Sequence, residues 1–243
     1  MRLIGELSEI NRYPIKSFAG ERLETCRIEP YGLYGDRCHA FIDETKEGWE
    51  SFITARNIPN MLTYKAKLDN EDVQNGLDPF KVSITSPDGR TYHWNDELLA
   101  EMQKHSNVHM SMMSYSPQVT ELMAVDTGSI LIITDTTLRR LEMLWGKSLD
   151  HRRFRANLLV SVNENAGNEG EWLGKRLSIG SAELQVDSYC ERCSMIMLDP
   201  DTLERDASLL RKVNEEMGLH FGVYASVKKT GQVHIGEKVY VVD

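Results

Sequence analysis

Ala182-Glu183-Leu184-Gln185-Val186-Asp187-Ser188-Tyr189 runs directly into Cys190-Glu191-Arg192-Cys193. Ala182 to Asp187 reads as a strand, and Leu184 to Tyr189 as an alternating stretch whose period of two puts successive side chains on opposite faces. The two thiols therefore sit at a strand end. Working outward, Arg176 to Ile179 and Asn157 to Val162 read as further strands, and Thr230-Gly231 to Val242 as a closing hairpin. Leu209, Leu210, Val213 and Met217 recur at helical spacing, with Gly218 as the stop. Upstream, Ile130-Leu131-Ile132-Ile133 is too short an apolar run for a helix by itself. Asp135 follows as an expected N-cap, and Leu138, Leu141, Leu144 and Trp145 define a helix ending at Gly146.

Toward the N-terminus the chain reads as short strands with turn residues between them: Leu3 to Arg12, Thr25 to Glu29, Cys38 to Asp43, Leu62 to Leu68, and a hairpin around Ser86-Pro87-Asp88-Gly89. Asn95 is placed to cap a short helix carrying Leu98, Leu99 and Met102, and Ser111 to Gln118 is polar and Met-rich. The expected fold is mixed but mainly β, of barrel or sandwich type with a few helices. A boundary near residue 118 gives parts 1–118 and 119–243.

With 243 residues, 41% hydrophobic and 27% charged, the chain can bury a core without disulfides or metals. No apolar run reaches membrane-spanning length and the N-terminus lacks a signal-peptide pattern, so a cytoplasmic location is expected. Subtracting 37 acidic from 28 basic side chains gives a net charge of -9, which argues against a broad nucleic-acid or anionic-membrane surface. An anionic ligand then requires a local basic pocket. Gly-x-Gly-x-x-Gly, phosphate-loop and nucleophile-elbow patterns are all missing from the sequence.

Cysteine reacts and ligates as thiolate, and Arg192 beside Cys193 is expected to favour that form, making a soft ligand for a redox-active metal. A lone Cys-x-x-Cys is as readily structural as functional. Structural zinc would need ligands from the distant Cys26 or Cys38-His39, and a thioredoxin-like motif would open a helix, whereas Ser194 to Pro200 reads as extended. His151-Arg152-Arg153-Phe154-Arg155 is a cationic cluster; read as a strand, it turns Arg153 and Arg155 to one side, suited to a phosphate. A solvated basic turn accounts for the same residues equally well. Tyr13-Pro14-Ile15-Lys16-Ser17, Gly35-Asp36-Arg37 and Asp126-Thr127-Gly128-Ser129 are turn segments that carry cations, hydroxyls or open backbone N–H groups.

Taken in order, these segments, with Arg153-Phe154-Arg155-Ala156-Asn157, Asp199-Pro200-Asp201-Thr202 and Phe221-Gly222-Val223-Tyr224, resemble the MOSC family. The likeness is to its two-domain form, with an N-terminal β-barrel-like domain before the MOSC barrel. The resemblance implies a molybdenum cofactor in a cleft between the two parts, with Cys193 as the metal ligand. It implies contacts to pterin and phosphate from Lys16, Ser17, Arg37, Thr127, Arg155 and Asn157, joined by Arg153, and leaves Cys190 either supporting the metal ligand from behind or purely structural. Pyridoxal phosphate binding is a further family-level association. The chemistry implied is reduction of N-hydroxylated small molecules, with Asp126 as the expected acid near the site. The alternative within the family is a non-catalytic carrier of cofactor or sulfur, with a persulfide on Cys193. No cysteine follows Cys193 and no flavin or nicotinamide motif is present, so an external electron donor of flavoprotein, ferredoxin or cytochrome type is expected. Neither nucleic acid nor a membrane is an expected partner. The sequence has no hydrophobic N-terminal segment like that of anchored members, and has Gly236-Glu237 where Gly-Asp is usual.

Overall fold

The computed structural model describes residues 1–69, 79–163 and 166–242. In chain order its elements are β1 (Arg2–Arg12), β2 (Glu21–Leu23), β3 (Thr25–Glu29), β4 (Gly32–Leu33), β5 (His39–Ile42), β6 (Lys65–Leu68), β7 (Val82–Thr85), β8 (Thr91–His93), α1 (Asp96–Gln103), β9 (Ser111–Ser114), β10 (Ile130–Thr134), α2 (Asp135–Trp145), β11 (Leu158–Val162), β12 (Arg176–Ile179), β13 (Ala182–Glu191), α3 (Ala207–Met217), β14 (His220–Lys229), β15 (Gly231–His234) and β16 (Lys238–Val242).

Seven strands close into a barrel in the order β11-β10-β14-β13-β12-β16-β1, with β1 returning to β11 and β2 extending from β1. Only the β10–β11 pairing in the ring is parallel. Closure leaves no free edge. It depends on β1, which pairs with β16 through Arg2 to Glu6 and with β11 through Gly5 to Ile10. Gly5 lies where the two pairings overlap, and a Cβ there would fall 2.1 Å from the Ser161 carbonyl oxygen, so the strands meet this closely only because the residue is glycine.

The all-apolar run at β10 has its explanation in two cores. Ile130 and Ile132 point into the barrel beside Ile4, Leu158, Leu184, Val223 and Val241, while Leu131 and Ile133 lie beneath α2 and α3 with Leu141, Leu209, Phe154, Phe221 and Cys190. A strand covered on both faces needs apolar residues at both parities. The third core, with Phe18, Phe41, Met61, Tyr64, Leu98 and Met102, fills the remaining part, built on the β5–β9 pair, the β6-β7-β8 sheet and α1. The first strands of the chain nevertheless serve the barrel, since Cys26, Ile28 and Leu33 lie in its core and β3 pairs with β15.

Several local expectations need correction. Thr134, not Asp135, caps α2: its Oγ1 accepts from Thr137 N at 3.2 Å. Asp135 is the first helical residue and ties α2 to β11, accepting from Val162 N at 3.0 Å and Ser161 Oγ at 2.9 Å. Ser111–Ser114 is a strand paired with β5, and Leu62 belongs to a 3-10 turn, Pro59–Thr63, ahead of β6. Ser194–Met197 is a 3-10 turn rather than extended chain, closed by Leu198 N donating to the Met195 carbonyl at 3.1 Å. Asn95 caps α1, and Gly146 and Gly218 end α2 and α3 in the left-handed region.

His39 makes a testable point about the N-terminal core. Its ring is buried, stacks on Trp94 at 4.6 Å and shares a hydrogen bond between Nδ1 and Ser114 Oγ at 2.9 Å. Burial pulls its pKa from 6.5 down to about 4. Between those values the unfolded chain holds a proton that the native chain does not, so this contribution is complete above about pH 6.5 and is lost as pH falls toward 4. The loss is on the order of 3 kcal/mol. Denaturant midpoints measured from pH 7 to pH 4 are expected to fall more steeply for the native chain than for His39→Asn; parallel curves would contradict this.

Candidate functional site

A cleft is lined by residues from widely separated stretches of chain. Lys16, Ser17 and Arg37 come from the N-terminal segment, Asp126 and Gly128 from the loop before β10, Arg153, Arg155 and Asn157 from the turn before β11, and Arg192 and Cys193 from the end of β13. The enclosed space is about 100 Å³ and opens to solvent. Thr127, exposed, sits on the same loop between Asp126 and Gly128 but is not among the lining residues.

Backbone strain concentrates here. Among the described residues, the non-glycine residues with positive φ are Ser17, Arg37, Arg155, Leu203 and Leu219, and the first three line the cleft. Such conformations cost free energy and persist where the surroundings enforce them, typically at binding sites. Arg155 owes its conformation to its place as C-cap of the 3-10 turn His151–Phe154, which Asp150 caps at the other end. The strand expected across these residues is therefore not formed, and Arg153 and Arg155 reach the cleft by a turn instead. Asp150 favours that turn because its carboxylate accepts from Arg152 N at 2.8 Å.

The cations differ in how well they are neutralised. Arg37 donates to Asp36, to Asn157 Oδ1 at 3.1 Å and to the Arg155 carbonyl at 3.1 Å. Asn157, fully buried, also accepts from Leu131 N and donates to the Asn11 carbonyl, so it positions Arg37 and the two strands around it. Arg153 pairs with Asp199 at 2.7 Å. Lys16 donates to Asp126 Oδ1 at 2.6 Å and to the Ala124 carbonyl at 2.8 Å. Burial lowers the Lys16 pKa, with Asp126 opposing that effect. For Asp126 partial enclosure acts upward, but Lys16, Arg37 and Arg56 outweigh it and hold the carboxyl below its ordinary value.

Arg155 has no carboxylate partner among the described residues, and one of its nitrogens, like Arg153 Nε and Arg192 Nε, is buried without a hydrogen-bond partner. Its Nη1 donates to the Phe18 carbonyl at 2.8 Å, its guanidinium stacks over Tyr13 at 4.3 Å, and its Nη2 is buried with no hydrogen-bond partner. Burial, reinforced by Arg37, lowers its pKa to about 10. A part-buried cation with a buried, unused donor is the feature an anion would complete. Millimolar inorganic phosphate is expected to raise the melting temperature, by the equivalent of about 2.7 kcal/mol at a hundredfold excess over Kd. Arg155→Gln should lose most of that increment while leaving the ligand-free chain at least as stable. An equal increment in the variant would remove Arg155 from the site.

At the cysteine motif, Cys190 and Cys193 have different surroundings. Cys190 is buried beneath α2 and α3, while Cys193 is part-exposed and lines the cleft. The expected support of Cys193 by Arg192 is not what forms. Arg192 Nη1 donates to Cys190 Sγ at 3.1 Å and Nη2 to the Phe154 carbonyl at 3.0 Å, with the guanidinium stacked on Phe154. In extended chain, positions 190 and 192 share a side and position 193 takes the other. Tyr224, part-buried beside Cys190, also lines the cleft. Thr54, Arg56 and Met195 join it there without any motif that would have singled them out.

A larger cleft of about 450 Å³ lies on another side of Arg155, with Glu9, Tyr13, Lys65 and His151 among its lining, but it holds no thiol. Among the described residues no group of three or more His, Cys, Asp or Glu is placed to hold a metal ion. No helix among them is long and apolar enough to cross a membrane.

The fold is mainly β, with a closed barrel, and a part-exposed thiol, Cys193, lines the same cleft as Lys16, Arg37, Arg153 and Arg155. The chain belongs to the MOSC domain family: the MOSC domain pattern matches residues 119–240, and the MOSC N-terminal beta barrel domain pattern matches residues 4–120. It is similar to mitochondrial amidoxime reducing component 2 of Rattus norvegicus, with 25% identity across 99% of this chain and 84% of that protein. It is also similar to molybdenum cofactor sulfurase of Bombyx mori, at 29% identity over 53% of this chain but only 16% of that protein. The fold matches the crystal structure of the YUAD protein from Bacillus subtilis with a TM-score of 0.51, at 13% identity and covering 99% of this chain and 97% of that one.

Proposed function

We propose that this chain binds a molybdenum cofactor, with Cys193 as the protein ligand to the metal, and reduces N-hydroxylated small molecules with electrons from a separate redox protein. The observation that carries the reading is the pairing of a part-exposed thiol with a part-buried cation, Arg155, whose buried Nη2 has no hydrogen-bond partner, in one cleft. A single thiol without other clustered ligands suits a metal that brings its remaining ligands on an organic carrier, and the arginines suit the anionic tail of such a carrier. The enclosed volume accommodates an anionic group, with a larger ligand extending toward the open mouth. The names of the relatives, an amidoxime reducing component and a molybdenum cofactor sulfurase, support both halves of the proposal.

When bound, the cofactor supplies a metal that exchanges two electrons and accepts oxygen, chemistry no side chain here provides. Reduction of an N-hydroxy group takes two electrons and two protons and releases water, so the chain must deliver protons. Lys16 is the better placed donor: it is buried, its pKa is lowered, and it lines the cleft with its Nζ held by Asp126 and the Ala124 carbonyl. Asp126, held ionised, keeps that ammonium in place and, being half-exposed, connects it to solvent for reprotonation. Arg37 and Asn157 fix the geometry around the cations, and Ser17 adds a hydroxyl to the wall. Unpaired cysteines suit a reducing compartment, and a cytoplasmic location is part of the proposal.

The test uses protein from a cofactor-competent host, reduced chemically through a viologen dye and then offered an amidoxime. Stoichiometric formation of the amidine, coupled to dye oxidation, is expected. Full molybdenum content with no turnover of any N-hydroxy compound, together with sulfane sulfur on Cys193, would replace this reading with that of a carrier.

A further inference from the structure

Trp49 lies on the loop between β5 and the Pro59–Thr63 turn, with 42% of its surface exposed. A single exposed aromatic residue is ordinary; this one differs in what holds it. Its Nε1 donates to Asp126 Oδ1 at 3.4 Å, the Arg56 guanidinium lies 4.5 Å from its ring centroid, and Lys16 Nζ lies 6.0 Å from that centroid and 4.9 Å from the ring of Phe52. Arg56, Lys16 and Asp126 all line the cleft. The indole is not itself among the lining residues but is held beside the cleft by three groups that are, on a loop with no buried residues in its own 3-10 turn, Gly48–Ser51. Since Arg56 covers part of the ring, the open remainder is an aromatic surface held in position without any core packing of its own.

We propose that Trp49 determines specificity: its open ring surface seats substrates whose reducible N–O group is attached to a flat, delocalised system, such as aromatic amidoximes. This rests on the reductase reading above. A planar π system stacks on an indole at low entropic cost because both partners are rigid, and an amidoxime carries its N-hydroxy group in the ring-bearing plane. The Lys16 ammonium and the Asp126 carboxylate lie against the same indole, so a ring seated there keeps the N-hydroxy end beside the proton-bearing pair. A saturated aliphatic substrate of the same reactivity gains no such contact. Trp49 acts on binding rather than on the reacting atoms, so its effect belongs mainly in KM.

The experiment compares an aromatic with a small aliphatic amidoxime on the holoprotein, in native, Trp49→Ala and Trp49→Phe forms. Loss of one aromatic stacking contact is expected to lower the aromatic-to-aliphatic ratio of kcat/KM roughly fivefold in Trp49→Ala, with the change carried by KM, and Trp49→Phe should recover most of it. A second readout needs no turnover: in unreduced protein the aromatic amidoxime should quench the emission component that is absent from Trp49→Phe, and the aliphatic one should not. An unchanged kcat/KM ratio, or quenching that is absent or equal for both compounds, overturns the role of Trp49 while leaving the reductase reading intact. Selective quenching in a protein that turns over neither compound supports the aromatic seat and overturns the reductase reading alone.

Discussion

Arg192→Ala is expected to lower stability by about 3 kcal/mol, a large effect for a single residue beside an open cleft. The buried guanidinium bridges Cys190 Sγ and the Phe154 carbonyl, stacks on Phe154, and sits on a backbone fixed by Arg192 N donating to the Leu219 carbonyl at 2.8 Å. Alanine removes both donors, strands a buried carbonyl and empties the space between the motif and the 3-10 turn at residues 151–154. Lysine should not rescue it, because one ammonium cannot span both acceptors while lying flat on a ring. The same change displaces the segment that ends at Cys193, so cofactor retention should fall with stability. Urea denaturation of both variants checks this, and a loss below about 1 kcal/mol for Arg192→Ala would show that the bridge is not what holds the motif.

Cys193→Ala should show the opposite balance. The side chain is part-exposed and belongs to none of the three cores, so its removal should change stability by less than about 1 kcal/mol. Turnover, by contrast, should fall by more than the roughly hundredfold that loss of an outer support of a metal site costs. Cys190→Ala provides the contrast: it is buried under the helices and receives the Arg192 hydrogen bond, so its replacement should cost stability first and metal content little. Equal kinetic losses for the two cysteines would argue that the motif works as a dithiol instead.

What could be read from the chain was what is local in it. The strand read from Ala182 to Asp187, the Asn95 cap and the glycines after Trp145 and Met217 rest on short-range signals, and each corresponds to a strand or helix end in the structure. Barrel closure was not legible, because Arg2–Arg12 pairs with residues near 160 and 240, and nothing in an eleven-residue strand names partners so far away. The turn at residues 151–155 escaped for a different reason: the apparent strand period there is broken by the Asp150 cap and by the left-handed conformation at Arg155.

The site was legible as an ordered set of turns but not as a place. Lys16, Arg37, Asp126, Arg155 and Cys193 lie in separate stretches that only the tertiary fold brings together. Arg192 was assigned to the wrong thiol because adjacency in sequence is not adjacency in extended chain, where alternate residues share a side. Trp49 and Arg56 gave no signal at all, since their loop carries no motif and their significance comes from the groups across the cleft that touch them.

The most direct test of the account is molybdenum and pterin content in protein from a cofactor-competent host, measured on the native chain and on Cys193→Ala in parallel. One molybdenum and one pterin per native chain, with molybdenum lost from a variant that remains folded, is the predicted result. A native chain that carries neither, or a variant that keeps its molybdenum, would contradict it.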